Sequence, residues 1–273
     1  MAVLSVDLAF RRWSDLGVVI LDRASSSADG VAPPLITCEI VSLGSPRLDS
    51  DLSYDCDRGP IDPDNLAGRL NHLCGVRGIR VLLLDGPQAW KSRSNGLDHA
   101  RISERQLNTA AKTGLPGMVK PVTYRPFAEF CVDVYDALCR RGWRRLDTQI
   151  RPGQSDRSAS TPDRVLVESY PHAAWKSLGI APLPSKRRAR VSDLARAYAA
   201  LRAVVPFTTN RPPNHDQLQA IVAGLAGLAL EENDPAGIRI VGRPPAHEEG
   251  HWREGFIALP LLPRAPSNLR WLN

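Results

Sequence analysis

The run IRVLLLD, residues 79–85, constrains the fold more than any other segment of the chain. Its length suits a strand, and a strand apolar on both faces must be covered on both, as in a parallel sheet between helices. The flanking sequence supplies partners for it. Val3–Asp7, Leu16–Leu21 and Leu35–Leu43 are apolar runs separated by turn formers, and they predict a three-stranded antiparallel meander. A helix is expected near Asp62–Cys74, started by Pro63 or the acids before it.

Beyond Asp85, the residues Gly114, Pro116, Gly117, Pro121 and Pro126 mark a long connection that ends in a helix over Phe127–Arg141. Arg164–Ser169 predicts another strand, Pro171 opens a short helix, and Lys186–Val204 reads as a further one. His251–Leu259 is expected as a terminal strand or loop, and Asp49–Pro63 and Arg151–Pro162 as loops. The strongest helical pattern is Asn214–Glu232, where Leu218, Ile221, Val222, Leu225 and Leu228 recur at helical spacing. Ala220, Ala223, Gly224 and Gly227 add a stripe of small residues. The glycines cost helix propensity, so close packing on a sheet explains them better than local preference.

Three strands, a helix, a strand, an inserted helical region, a strand and terminal helices form the order of the α/β ribonuclease H-like fold. The expected architecture is a mixed five-stranded sheet flanked by helices. One domain, 1–273, carries a helical and loop insertion over roughly 86–162 after the fourth strand.

Four acids occupy notable positions in that order. Asp7, Asp85 and Glu168 end predicted strands, and Asp216 starts the Asn214–Glu232 helix. Each has an ordinary explanation: a strand terminator, an Asp-Gly-Pro turn, a partner for an arginine, a helix cap. Together they suggest acids collected by a cation, with two Mg2+ or Mn2+ ions about 4 Å apart activating water for phosphodiester hydrolysis. Carboxylate ligands suit these hard ions. The five cysteines show no metal-ligand spacing, which disfavours zinc and a disulfide framework.

Net charge is +6, with basic blocks at Arg140, Arg141, Arg144 and Arg145 around Trp143 and at Lys186, Arg187, Arg188 and Arg190. They tilt the reading toward a nucleic-acid partner, against the plainer alternative of solvated helix faces. Trp90 and Trp143 could stack on bases, although core packing is the safer assumption. The longest apolar run, Ala220–Leu230, is shorter than the roughly 20 residues that cross a bilayer. No basic segment precedes the first apolar run, so no membrane association and a cytoplasmic location are expected.

The segments SVDLAF, LLLDGPQ, VESYPHAAW, NHDQLQAIVAG and REGFIALP, with ARISERQL between the second and third, resemble in order and spacing the motifs of the domain-of-unknown-function 429 family. That resemblance spans nearly the whole chain and implies a ribonuclease H-like nuclease with Asp7, Asp85, Glu168 and Asp216 as catalytic metal ligands. It also implies phosphate-binding roles for Arg101, Arg105 and Lys186. His215 is a candidate proton carrier, ahead of His172. Where the family tends to carry a second aspartate three residues after the first on its terminal helix, this chain has Gln219, and an amide supplies no second negative charge.

Two other functions compete with a nuclease. A non-catalytic nucleic-acid-binding or scaffold protein of the same fold is supported by Gln219. An actin-like ATPase or sugar kinase needs a phosphate loop after the first strand, and Leu8, Ala9 and Phe10 offer neither its glycine nor its hydroxyl.

Overall fold

Side chains alternate between the two faces of a strand, so the register of the central strands decides which acids share a face. The structure, a computed structural model, describes residues 1–23, 35–43, 60–147 and 164–262. In chain order its first half holds β1 (Ala2–Asp7), β2 (Gly17–Arg23), β3 (Ile36–Val41), α1 (Pro63–Arg77), β4 (Val81–Asp85), α2 (Ile102–Leu107), β5 (Lys112–Thr113), β6 (Val119–Lys120) and α3 (Arg125–Arg140). Then follow β7 (Arg144–Arg145), β8 (Val165–Ser169), α4 (Pro171–Ser177), α5 (Val191–Val204), β9 (Phe207–Thr209), α6 (His215–Glu231), β10 (Ile238–Glu248) and β11 (His251–Pro260).

The strands β3, β2, β1, β4 and β8 lie side by side in that order, and β2 alone runs against the others. This is the ribonuclease H-like arrangement expected from the sequence. The sheet is wider than five strands, however, and reaches nine among the described residues. β9 extends it beyond β3, while β11 and then β10 extend it beyond β8, and β7 pairs with β8 outside this path. β10 hid in the sequence because Gly242, Pro244 and Pro245 interrupt it. A bulge between Arg243 and Ala246 and a position at the sheet edge accommodate them.

Val3, Val81, Leu83, Val165 and Val167 point to the face covered by α4, α5 and α6. Leu4, Val6, Leu82, Leu84 and Leu166 point to the other, covered by α1 and α3. Thus α3, expected within an insertion, belongs to a layer covering the sheet, and α2 with the β5–β6 hairpin makes up the added material. The helix expected from Lys186 begins only at Val191, which leaves Lys186 in an irregular segment. Trp90 and Trp143 are buried in the core. The expected loop at 49–63 lies outside the described residues up to 59, as do Cys56 and the whole of Arg151–Pro162. Among the described residues no helix is long and apolar enough to cross a membrane.

The small-residue stripe of α6 has the packing reason inferred for it. A Cβ at Gly224 would stand 2.3 Å from Leu21 Cδ1 and 2.9 Å from Ser5 Cβ, and one at Gly227 would stand 2.2 Å from Leu83 Cδ1. Both neighbouring leucines are wholly buried and have nowhere to turn. Gly224→Ala should therefore lower stability: overpacking costs about 1–3 kcal/mol against a helix-propensity gain of about 1 kcal/mol. Urea unfolding checks the sign, and a more stable variant would contradict the close approach.

Candidate functional site

Asp7 and Asp85 are register partners on the adjacent parallel strands β1 and β4. They end those strands on the face toward α6, with backbones about 4.8 Å apart. On its other side Asp7 pairs with Gly17 of β2, and this glycine seats the third acid. A Cβ at Gly17 would lie 2.2 Å from the Asp216 carbonyl oxygen, so only glycine lets the start of α6 rest here. Asn214 caps that helix, accepting from the Gln217 backbone N–H at 3.0 Å, while Gln217 Oε1 accepts from the Asn214 N–H at 2.9 Å. Capping thus falls to Asn214, and the Asp216 side chain is free for other contacts.

Burial raises the Asp7 carboxyl well above the usual range, and the neighbouring Asp85 and Asp216 charges push it further. Burial likewise pushes Asp85 up to about 7. Lys186 is the nearby cation: its half-exposed Nζ contacts Asp216 Oδ2 and lies 2.9 Å from Asp15 Oδ1. Asp15 had no sequence signal marking it for the site. A carboxyl whose folded pKa is raised favours folding while protonated. The Asp85 contribution should therefore be complete below its ordinary value near 4 and lost as pH climbs through about 7. Metal-free unfolding from pH 4 to 8, compared between the native chain and Asp85→Asn, should show native stability declining relative to the variant. A constant difference would contradict the raised Asp85 carboxyl.

Glu168 does not share this face, although its charge also raises Asp85. Its register partner on β4 is Leu84, while Asp85 faces Ser169. One residue of offset reverses the face, so Glu168 points toward α3 and away from α6. There Arg101 Nη1 and Nη2 donate to its two oxygens at 2.6 and 2.7 Å, and the Gln88 N–H donates at 3.0 Å. Burial still pushes the Glu168 carboxyl up, against the opposing Arg101 guanidinium.

Arg101 is 1% exposed. It also donates to Glu104 and to Thr113 Oγ1, with Nε 3.0 Å from the latter. Arg101 was expected to meet phosphate or, alternatively, to serve in a salt bridge, and the structure shows it in a buried Glu168–Arg101–Glu104 ion network. The arginine partner weighed for Glu168 is thereby identified.

The other expected site residues fall into place around the acids. Arg105 is exposed in the last turn of α2. The His215 ring nitrogens both face acceptors, Asp216 Oδ1 at 3.1 Å and the Pro184 carbonyl at 3.0 Å. That arrangement holds the His215 ring beside Asp216. Gln219 Oε1 accepts from Trp175 Nε1 at 2.7 Å, a packing role. In the first basic block Arg140 and Arg141 pair with Asp64, and Arg145 is buried against Asp136. In the second, Arg187 and Arg188 are exposed.

A cleft of about 430 Å³ opens over the acids, walled by Asp7, Asp216, Lys186, Phe10, Tyr124 and Phe127 among others. The three aromatic residues carried no sequence signal, because Tyr124 and Phe127 reach the cleft from the segment after the β5–β6 hairpin.

Among the described residues no three His, Cys, Asp or Glu side chains are arranged to hold a metal ion as they stand. The Asp7–Asp85 pair nonetheless fits one hard cation. The two half-buried carboxylates lie side by side, Asp85 raises the charging cost of Asp7, and Mg2+ is commonly held by one or two carboxylates with water completing the shell. The expected two-ion site does not fit, because Glu168 faces the other way in the grip of Arg101 and Gln219 brings no charge.

No family model matches the chain, so the resemblance to the domain-of-unknown-function 429 family rests on the quoted motifs. No curated protein matches it either. Among solved structures it is similar to one described as "Thermus thermophilus RuvC structure", at a TM-score of 0.38 and 11% identity, over 89% of this chain and 99% of that one.

Proposed function

We propose that the chain is a metal-dependent nuclease, hydrolysing phosphodiester bonds of DNA or RNA, with one Mg2+ or Mn2+ held by Asp7 and Asp85. The observation that carries this reading is the in-register pair of half-buried acids Asp7 and Asp85, of which Asp7 lines a cleft together with Asp216, Lys186 and Arg11. A bound divalent ion supplies charge to a phosphate oxygen and lowers the pKa of water. Asp216 lies beside the pair and is oriented by His215 and Lys186. The half-exposed Lys186 ammonium and the exposed Arg11 offer positive charge to phosphates entering the cleft. Glu168 and Arg101 hold the α2 segment against the sheet and take no part in the chemistry.

The test is incubation of labelled single-stranded and duplex DNA, RNA and hybrid with Mg2+ or Mn2+. Cleavage of at least one substrate is expected, and Asp7→Asn should lose at least the roughly 10²-fold that removal of one electrostatic stabiliser costs. The pairing of Glu168 with Arg101 favours a second reading, a non-catalytic nucleic-acid-binding protein. Salt-sensitive binding without cleavage of any substrate would establish it.

A further inference from the structure

A site that only grips phosphate and metal has no use for aromatic walls, yet Phe10, Tyr124 and Phe127 stand next to Asp7 in the cleft. Phe10 makes tilted ring contacts with Phe127 and Phe130, with centroids 6.1 and 6.3 Å away. The Arg11 guanidinium lies 5.2 Å from its ring centre. Tyr124 is 44% exposed at the end of a short 3-10 turn, Val122–Tyr124, whose Val122 is 72% exposed. The cleft volume lies within the range of small-molecule sites. Aromatic faces beside cations are the elements that hold unpaired bases: the ring stacks on the base and the cation meets the backbone. A base within a duplex has both faces covered by its neighbours and cannot use such a wall.

We propose that Phe10, Tyr124 and Phe127 form a subsite for an unpaired nucleobase, and that the substrate class is single-stranded nucleic acid. This rests on the nuclease reading for its purpose, though not for its measurement. Tyr124 supplies an exposed stacking face, Phe10 and Phe127 a fixed apolar wall, and Arg11 and Lys186 the charge for the adjoining phosphates.

The experiment is fluorescence anisotropy of labelled 12-nucleotide oligothymidylate and oligouridylate, in EDTA so that neither metal nor cleavage enters. A duplex of the same length serves as comparison. The native chain is expected to bind a single strand more tightly than the duplex. Tyr124→Ala should weaken single-strand binding at least about fivefold, the lower end of what loss of one base–aromatic stack costs, while Tyr124→Phe retains it. Phe127→Leu, which keeps apolar bulk and loses the ring, should also weaken it. The duplex affinity should not move with Tyr124→Ala. Failure of the native chain to bind either single strand, an unchanged affinity in Tyr124→Ala, or an equal loss on the duplex would overturn the subsite. Absence of metal binding or cleavage would overturn the nuclease reading and leave this result standing.

Discussion

Arg101→Ala is expected to destabilise the protein by about 3–5 kcal/mol, the usual cost of removing one partner from a buried ion pair, or to prevent folding altogether. Arg101 is 1% exposed and is the guanidinium shared by two buried carboxylates, Glu168 and Glu104. Without it both buried acids would be left with only N–H groups and the Thr113 hydroxyl for compensation. Each would have to take up a proton or admit water.

Arg101→Lys should fail nearly as badly, since an ammonium cannot donate two parallel bonds to Glu168 while also reaching Glu104 and Thr113. Combining Arg101→Ala with Glu168→Gln should recover part of the loss, because one uncompensated charge disappears. Urea unfolding of the four proteins reads this directly. A loss below about 1 kcal/mol for Arg101→Ala, the scale of an exposed pair, would contradict the buried network.

The fold was legible wherever periodicity and turn chemistry agreed. The meander β1–β3, the doubly buried β4, and the α6 pattern of large residues on one side and glycines on another all announced their neighbours. What stayed hidden depended on contacts distant in sequence. β10 is broken by two prolines that only an edge position excuses, and β9 is three residues long.

In the site, Asp7, Asp85 and Asp216 could be read because each ends or begins an element whose place in the fold follows from strand order. Glu168 looked equivalent, and a register offset of one residue placed it on the opposite face. Periodicity within a strand could not reveal that offset, since it is set by pairing between strands. Arg101 was noticed as a cation in ARISERQL, but its burial follows from Glu104 three residues on and Thr113 twelve residues on closing around it.

Asp7→Asn is expected to make the metal-free protein more stable and insensitive to divalent ions. The gain comes from removing a carboxyl that burial and the neighbouring Asp85 and Asp216 charges raise well above its usual range, and the loss from removing half of the proposed ligand pair. Stability bought at the expense of function is the pattern expected when like charges are held together for a task. In the native chain, Mn2+ at about 100 times its dissociation constant should add about 2.7 kcal/mol of stability. The gain should grow from pH 6 to pH 8 as the ion competes less with protons.

The most direct measurement is calorimetric titration of Mn2+ into the native chain, Asp7→Asn and Asp85→Asn at pH 8. One ion bound per native chain and none by either variant is the result that a single-ion site on Asp7 and Asp85 requires; equal uptake by native and variant chains, or two ions per native chain, would contradict it.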